Sequence, residues 1–176
     1  MASCGRPHAY DASIRQLDSL RVVLDQAGDN FSRLDSAKYA QALSLQVNYS
    51  TFVTTHVQDT LDKTDAEALR EAYAAGKVFR GFLNSRHQLR EETSLNSSQL
   101  KKLAQDLKNN AVDQDKAVAY MKEETAQAEQ LIVTLKQNTD ILYKQLEVFN
   151  RHLPAIETLV KRYNAGTLPP LNPVEL

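Results

Sequence analysis

The residues of this 176-residue chain whose types could do chemistry are few: His8, His56, His87, His152, the single cysteine Cys4 and a Gly76-Lys77 pair. A di-iron helical bundle needs Glu-x-x-His pairs facing inward from two helices, and none of the four histidines has a glutamate three residues before it. The histidines stand singly, without zinc-ligand spacing, and no second cysteine is present to share a metal. No Gly-x-Ser-x-Gly elbow occurs, and Gly76-Lys77 lies inside a helical pattern rather than in a strand-to-loop phosphate cradle. The expectation is a protein that is not an enzyme and that holds no metal and no cofactor.

Composition points to the elements that such a protein is made of. Hydrophobic residues make up 42% of the chain, aromatics only 7%, and glycine and proline number five each, which starves turn-rich β architectures and suits long helices. Lysine and arginine total 21 against 22 acidic residues, so a net charge of −1 gives no electrostatic reason for nucleic acid or an anionic membrane surface as partner. No run of apolar residues reaches the roughly eighteen needed to span a bilayer as a helix.

The strongest pattern is one apolar seam from Val118 through Met121, Thr125, Ala128, Ile132, Leu135, Thr139, Leu142, Leu146, Phe149, Leu153, Ile156 and Val160 to Tyr163. Its alternating spacing of three and four is the signature of coiled-coil packing. At about 1.5 Å per residue such a helix is roughly 75 Å long. Pro154 lies within it, deleting a backbone donor, so a kink or a short break is expected at 150–153. A second seam runs from Ala68 through Ala72, Ala75, Phe79, Phe82, Arg86, Leu89, Thr93, Asn96, Leu100 and Leu103 to Leu107. Thr64 and Glu67 form a capping-box pattern at its start, and Asn109-Asn110 tolerates the left-handed backbone of a hairpin turn before the cap Asp113. A first arm, 11–61, carries Leu17, Leu20, Leu24, Ala27, Phe31 and Leu34, is weakened at Gly28-Asp29-Asn30, and offers Asp35 as a cap stapled by Leu34 and Tyr39.

The fold class expected is all-α, an elongated antiparallel bundle of long helices with coiled-coil-type packing. Three arms, 11–61, 65–109 and 113–163, match in length; the alternative makes 28–36 a full reversal, with a four-helix base and 88–135 projecting as a hairpin. The organisation is then a leader or tether at 1–10, a single helical bundle domain at 11–163 and a Pro-rich tail at 164–176.

Polar residues interrupt the seams at mid-arm. If the hairpin turns near 111, Arg86 lies level with Gln137, Asn96 lies level with Gln127, and Asp140 falls within a turn of Arg86. Arg86, Asn96, Thr125, Thr139 and Asp140 therefore form a polar core layer, with Arg86 and Asp140 in contact or Arg86 reaching out to water near Asp140. Register-fixing accounts for such a layer more readily than a ligand site does.

Met1-Ala2-Ser3-Cys4-Gly5 resembles the end of a bacterial lipoprotein signal, in which small residues precede a cysteine that is cleaved and lipidated. Asp18-Ser19-Leu20, Asp35-Ser36-Ala37 and Asp59-Thr60-Leu61 are similar to the acceptor motif of O-glycosylation in the Bacteroidetes envelope, which makes Ser19, Ser36 and Thr60 candidate acceptors, although Asp-Ser is also what helix capping produces. With the turn Leu107-Lys108-Asn109-Asn110-Ala111-Val112-Asp113 and Lys122-Glu123-Glu124 beyond it, the chain resembles small all-helical cell-envelope lipoproteins of Bacteroidetes. That resemblance implies a lipid-anchored, periplasm- or surface-facing protein, bound to the membrane only through Cys4, that acts as a structural or interaction module for protein partners. The alternative is a periplasmic helical chaperone or adaptor gripping client proteins.

Overall fold

A computed structural model describes residues 10–173, so Cys4 and His8 lie outside the described residues. Four helices follow one another: α1 (Asp11–Ser32), α2 (Ser36–His56), α3 (Lys63–Lys108) and α4 (Gln114–Tyr163). The described residues contain no strand, and the protein is an all-α helical bundle.

The helix boundaries are set by short polar side chains. Asp35 is extended and its carboxylate accepts from the backbone N–H groups of Ala37 and Lys38 at 3.0 and 3.4 Å, while Leu34 and Tyr39 on either side are buried; this is the expected N-cap with its staple. The cap of α3 is not Thr64. Asp62 takes that place, accepting from Asp65 N–H at 2.8 Å on its side chain and from Ala66 N–H at 3.0 Å on its carbonyl. A carboxylate is the stronger cap, so the helix begins two residues before the Thr64–Glu67 pattern suggested. At the other end of α3, Asn110 adopts a left-handed φ of 50°. The carbonyls of Asp106 and Leu107 accept from Ala111 and Asn110 N–H at 2.9 and 3.2 Å, the paired bonds of a Schellman turn.

The chain divides into two compact units. In the first, α1 packs with the second half of α3 and the first half of α4, over residues 1–33 and 87–137. Its core is Leu17, Leu24, Ala27 and Phe31 of α1, Leu100, Leu103, Ala104 and Leu107 of α3, and Ala117, Ala128, Leu131, Ile132 and Leu135 of α4. The seam of α4 starts on Ala117 rather than on Val118, which is 63% exposed. Gly28 does not weaken α1; the helix runs through it, and a Cβ there would stand 2.6 Å from the Thr93 methyl group. The glycine makes room for α3 instead of ending α1.

In the second unit, over 34–86 and 138–176, α2 packs with the first half of α3 and the second half of α4. The first arm is therefore two helices parted at 33–35, and α1 belongs with the segment that the four-helix alternative left projecting. Tyr39 meets Phe79 and Phe82 at ring distances of 5.5 and 5.2 Å, and Phe79 meets Phe149 edge-on at 5.9 Å. Ala68, Ala72 and Ala75 give α3 a flat face beside them. No break occurs at 150–153: α4 runs unbroken through Pro154. Asn150 and Pro154 are both exposed, so the carbonyl that the proline orphans lies on the water side, and buried Phe149, Ile156, Leu159 and Val160 hold the helix from both ends.

Within this unit α3 has two glycines in different surroundings. A Cβ on Gly81 meets nothing within 4 Å, whereas one on Gly76 would stand 2.7 Å from Cδ of the buried Gln46. Gly81→Ala is expected to raise stability by about 0.5–1 kcal/mol through helix propensity alone. Gly76→Ala is expected to lower it by about 1–3 kcal/mol, a loss that Gln46→Ala partly restores in the same chain. Urea denaturation of the variants decides this, and equal effects at the two glycines would show that Gln46 does not fill the notch.

Candidate functional site

Gln46 of α2 points into the notch at Gly76, with its amide donating to Ser50 Oγ at 3.0 Å. Asn48 lies two residues on, about 200° around the helix, and so faces away from α3. There it meets residues that follow α4. Helix α4 ends at Tyr163, and the carbonyl of Lys161 in its last turn accepts from Asn164 and Gly166 N–H at 3.2 and 2.9 Å, with Ala165 and Gly166 at φ of 50° and 78°. Asn164 and Thr167 then tie the turn, Thr167 N–H and Oγ1 both donating to the Asn164 carbonyl at 3.0 Å. The chain is turned back along α2 as far as Pro173, the last of the described residues.

The turn is held in place from below. Arg162, in the last turn of α4, lies 3.0 Å from Asp65 in the first turn of α3, a carboxylate only 8% exposed. The pair also suits the two helix dipoles, a cation at a C-terminus and an anion at an N-terminus. Tyr163 OH donates to Asp59 at 3.3 Å, and the partial loss of water around this exposed hydroxyl, with the Asp59 carboxylate beside it, pushes its pKa up.

The contact itself is reciprocal. Asn48 Nδ2 donates to the Asn172 carbonyl at 3.0 Å, and Asn172 N–H donates to Asn48 Oδ1 at 2.8 Å. Nδ2 also donates to the Ser44 carbonyl at 2.8 Å. Two carbonyls need a donor and one N–H needs an acceptor, which fixes the amide in one orientation. The side chain thus offers a backbone the donor and acceptor that a neighbouring strand would offer. Beside it, Val47, Thr51, Phe52, Thr55, His56, Pro169, Pro170 and Pro173 complete a groove of about 410 Å³. The Phe52 and His56 rings stack at 4.3 Å, with Nδ1 of His56 donating to the Phe52 carbonyl at 3.0 Å. Hydroxyls, an amide, an imidazole and apolar rings suit a neutral polypeptide.

The residues singled out in the sequence lie elsewhere. Ser19 is exposed on α1, Thr60 is exposed between α2 and α3, and Ser36 is half-buried in the first turn of α2, where its Asp35 serves as the cap. Arg86 is half-buried and makes no ion pair with Asp140, which is exposed. Asp140 follows the seam residue Thr139, so it points about 100° away from the core. Thr125 and Thr139 are half-buried. In the first unit Asn96 and Gln127 do come together, lining a cleft of about 510 Å³ with Leu89, Leu131 and Thr134. Asn96 Nδ2 donates to the Glu92 carbonyl at 2.9 Å, and its Oδ1 is sealed without a partner.

Asn48 has no flag in the sequence beyond its place in one Asn-x-Ser triplet, because its partner is a main chain 124 residues away. No group of three or more metal-binding side chains occurs among the described residues, and none of their helices is long and apolar enough to cross a membrane. No protein-family model, curated protein or solved structure matches the chain, so function is argued from its own residues.

Glu124 of the first unit has a carboxyl whose pKa is shifted by its surroundings. One carboxylate oxygen of Glu124 is sealed from water without a partner, and burial, with Glu123 adding to it, pushes its pKa above the ordinary glutamate value. The folded state therefore holds this proton more tightly than the unfolded chain does. Stability from that source is fully present below the ordinary value and is lost as pH rises through the raised one. Glu124→Gln should remove that decline and leave the protein equal or more stable at pH 7, by up to about 1 kcal/mol. Denaturation midpoints at pH 4.5, 5.5 and 7 test it; an unchanged pH slope in the variant would rule the account out.

Proposed function

We propose that the protein is a non-enzymatic interaction module of the bacterial cell envelope, anchored through a lipid on Cys4, whose working surface for protein partners is the groove along α2. The reciprocal amide contact of Asn48 with the Asn172 backbone carries this reading, because a side chain that satisfies both main-chain groups of one residue recognises polypeptide irrespective of side-chain sequence. The small-residue leader before Cys4 supports the address. Ser19 and Thr60, being exposed, suit glycan transfer; Ser36, in a first turn whose Asp35 is engaged in capping, suits it less.

Metabolic labelling with an alkynyl fatty acid in a bacterial host with a lipoprotein pathway is expected to mark the protein and not its Cys4→Ser variant. Labelling that persists in the variant, or no labelling of either, overturns the anchored reading. Glycan-dependent mass should fall in Ser19→Ala and Thr60→Ala and stay constant in Ser36→Ala. A client-holding chaperone would instead suppress heat aggregation of an unrelated protein at equimolar ratio; no suppression is expected here.

A further inference from the structure

The groove along α2 is already occupied on one side by the protein's own chain, and the way in which it is occupied says what else fits. Three of the six residues from Leu168 to Pro173 are proline. Each proline fixes its own φ and pushes the residue before it towards extended geometry, so this segment enters the contact with little conformational freedom left to lose. Asn48 then reads the main chain of Asn172, the residue immediately before Pro173, and Pro169 and Pro170 face α2 across the groove. Asn172 can donate because it is not itself a proline, and a proline at that place would leave Asn48 Oδ1 without its bond. Asn48 is oriented for the task by Ser44, whose carbonyl, one turn earlier on the same helix, takes the other amide hydrogen.

From this we infer that the α2 groove is a binding site for an extended, proline-containing polypeptide segment with a free N–H before one proline, and that 167–173 is its resident occupant in cis, displaced when a partner carrying such a segment binds. The inference rests on the reading of the groove as a protein-binding surface and adds the class of partner and the competition. The cis segment starts only a few residues beyond the end of α4, so its effective concentration at the groove is on the order of millimolar. A free segment of the same kind has to exceed that level, or the cis contact has to be weakened. The tail thus sets a threshold for the partner.

The test uses the full chain, isotope-labelled, with an unlabelled synthetic peptide of the sequence Thr167–Leu176. In the free protein the Asn172 amide is expected to be protected from solvent exchange, and the Asn48 side-chain amide resonances are expected to be displaced from the positions of exposed asparagines. Peptide at millimolar concentration should move the labelled Asn172 amide to the position of an unbound chain while leaving the Asn48 side chain in its bound position. Asn172→Pro in the full chain, which removes the cis N–H, should lower the peptide concentration for half-displacement, followed in both chains at the Leu171 amide, about tenfold or more. Asn48→Leu should abolish peptide binding with an unchanged helical circular dichroism spectrum, and Asn48→Ala provides the smaller second variant should the leucine disturb folding. An Asn172 amide that is unprotected, a peptide that leaves it in place at several millimolar, or binding that is insensitive to Asn48 would each overturn the inference. The lipid-labelling result is independent of all three, so the envelope address can stand while this inference fails.

Discussion

The rotation of α2 about its own axis is the constraint on which the second unit depends. A buried glutamine seated in a glycine notch admits few alternatives: turning α2 by one residue would bring the branched Leu45 or Val47 to Gly76 and turn Gln46 out of the space that the missing Cβ leaves. Once Gln46 is fixed, Tyr39, Leu43, Tyr49 and Phe52 are directed to the core, and Asn48, Thr51 and Thr55 are directed outward. The groove is the outward face of the same rotation. A helix chosen for packing on one side is thereby also chosen for the hydrogen bonds that it offers on the other.

Charged side chains do their structural work at helix ends. Asp35 and Asp62 start α2 and α3, and Asp65 with Arg162 ties a helix start to a helix end. The buried Asp65 is tolerable because it is both ion-paired and in the first turn of a helix, where the dipole favours an anion. In mid-helix the polar residues behave differently. Between Phe82 and Leu100 no residue of α3 is fully buried, and Arg86, Leu89, Thr93 and Asn96 are all half-exposed there. Long side chains at such positions reach water on their own stems, which explains why Arg86 needs no carboxylate.

Much of this was legible in the residues themselves. The three-four spacing of apolar positions places nearly all of the α3 and α4 cores, from Ala68 to Leu107 and from Ala128 to Val160, because helical period and burial are local properties of the chain. The cap at Asp35, the left-handed Asn110 and the turn before Asp113 were equally readable, since each depends on a few adjacent residues. That Asn96 and Gln127 line one cleft agrees with counting back from that turn.

What needed the tertiary structure is whatever depends on two distant segments at once. Gly28 looks like a helix breaker in sequence and proves to be clearance for Thr93, because the value of a missing Cβ is set by what stands opposite it. Thr64 and Asp62 are both competent caps, and only the folded backbone shows which carries the bond. Arg86 and Asp140 lie within a turn of each other by residue count, yet a residue count fixes height along a helix and not direction around it. The Asn48 contact is the clearest case. The sequence determined that α2 is a helix, that proline stiffens 168–173, and that the chain is all-helical; the tertiary structure alone brought residue 172 to residue 48, because a hydrogen bond between a side chain and a distant main chain leaves no mark on the identity of the residue whose backbone it uses.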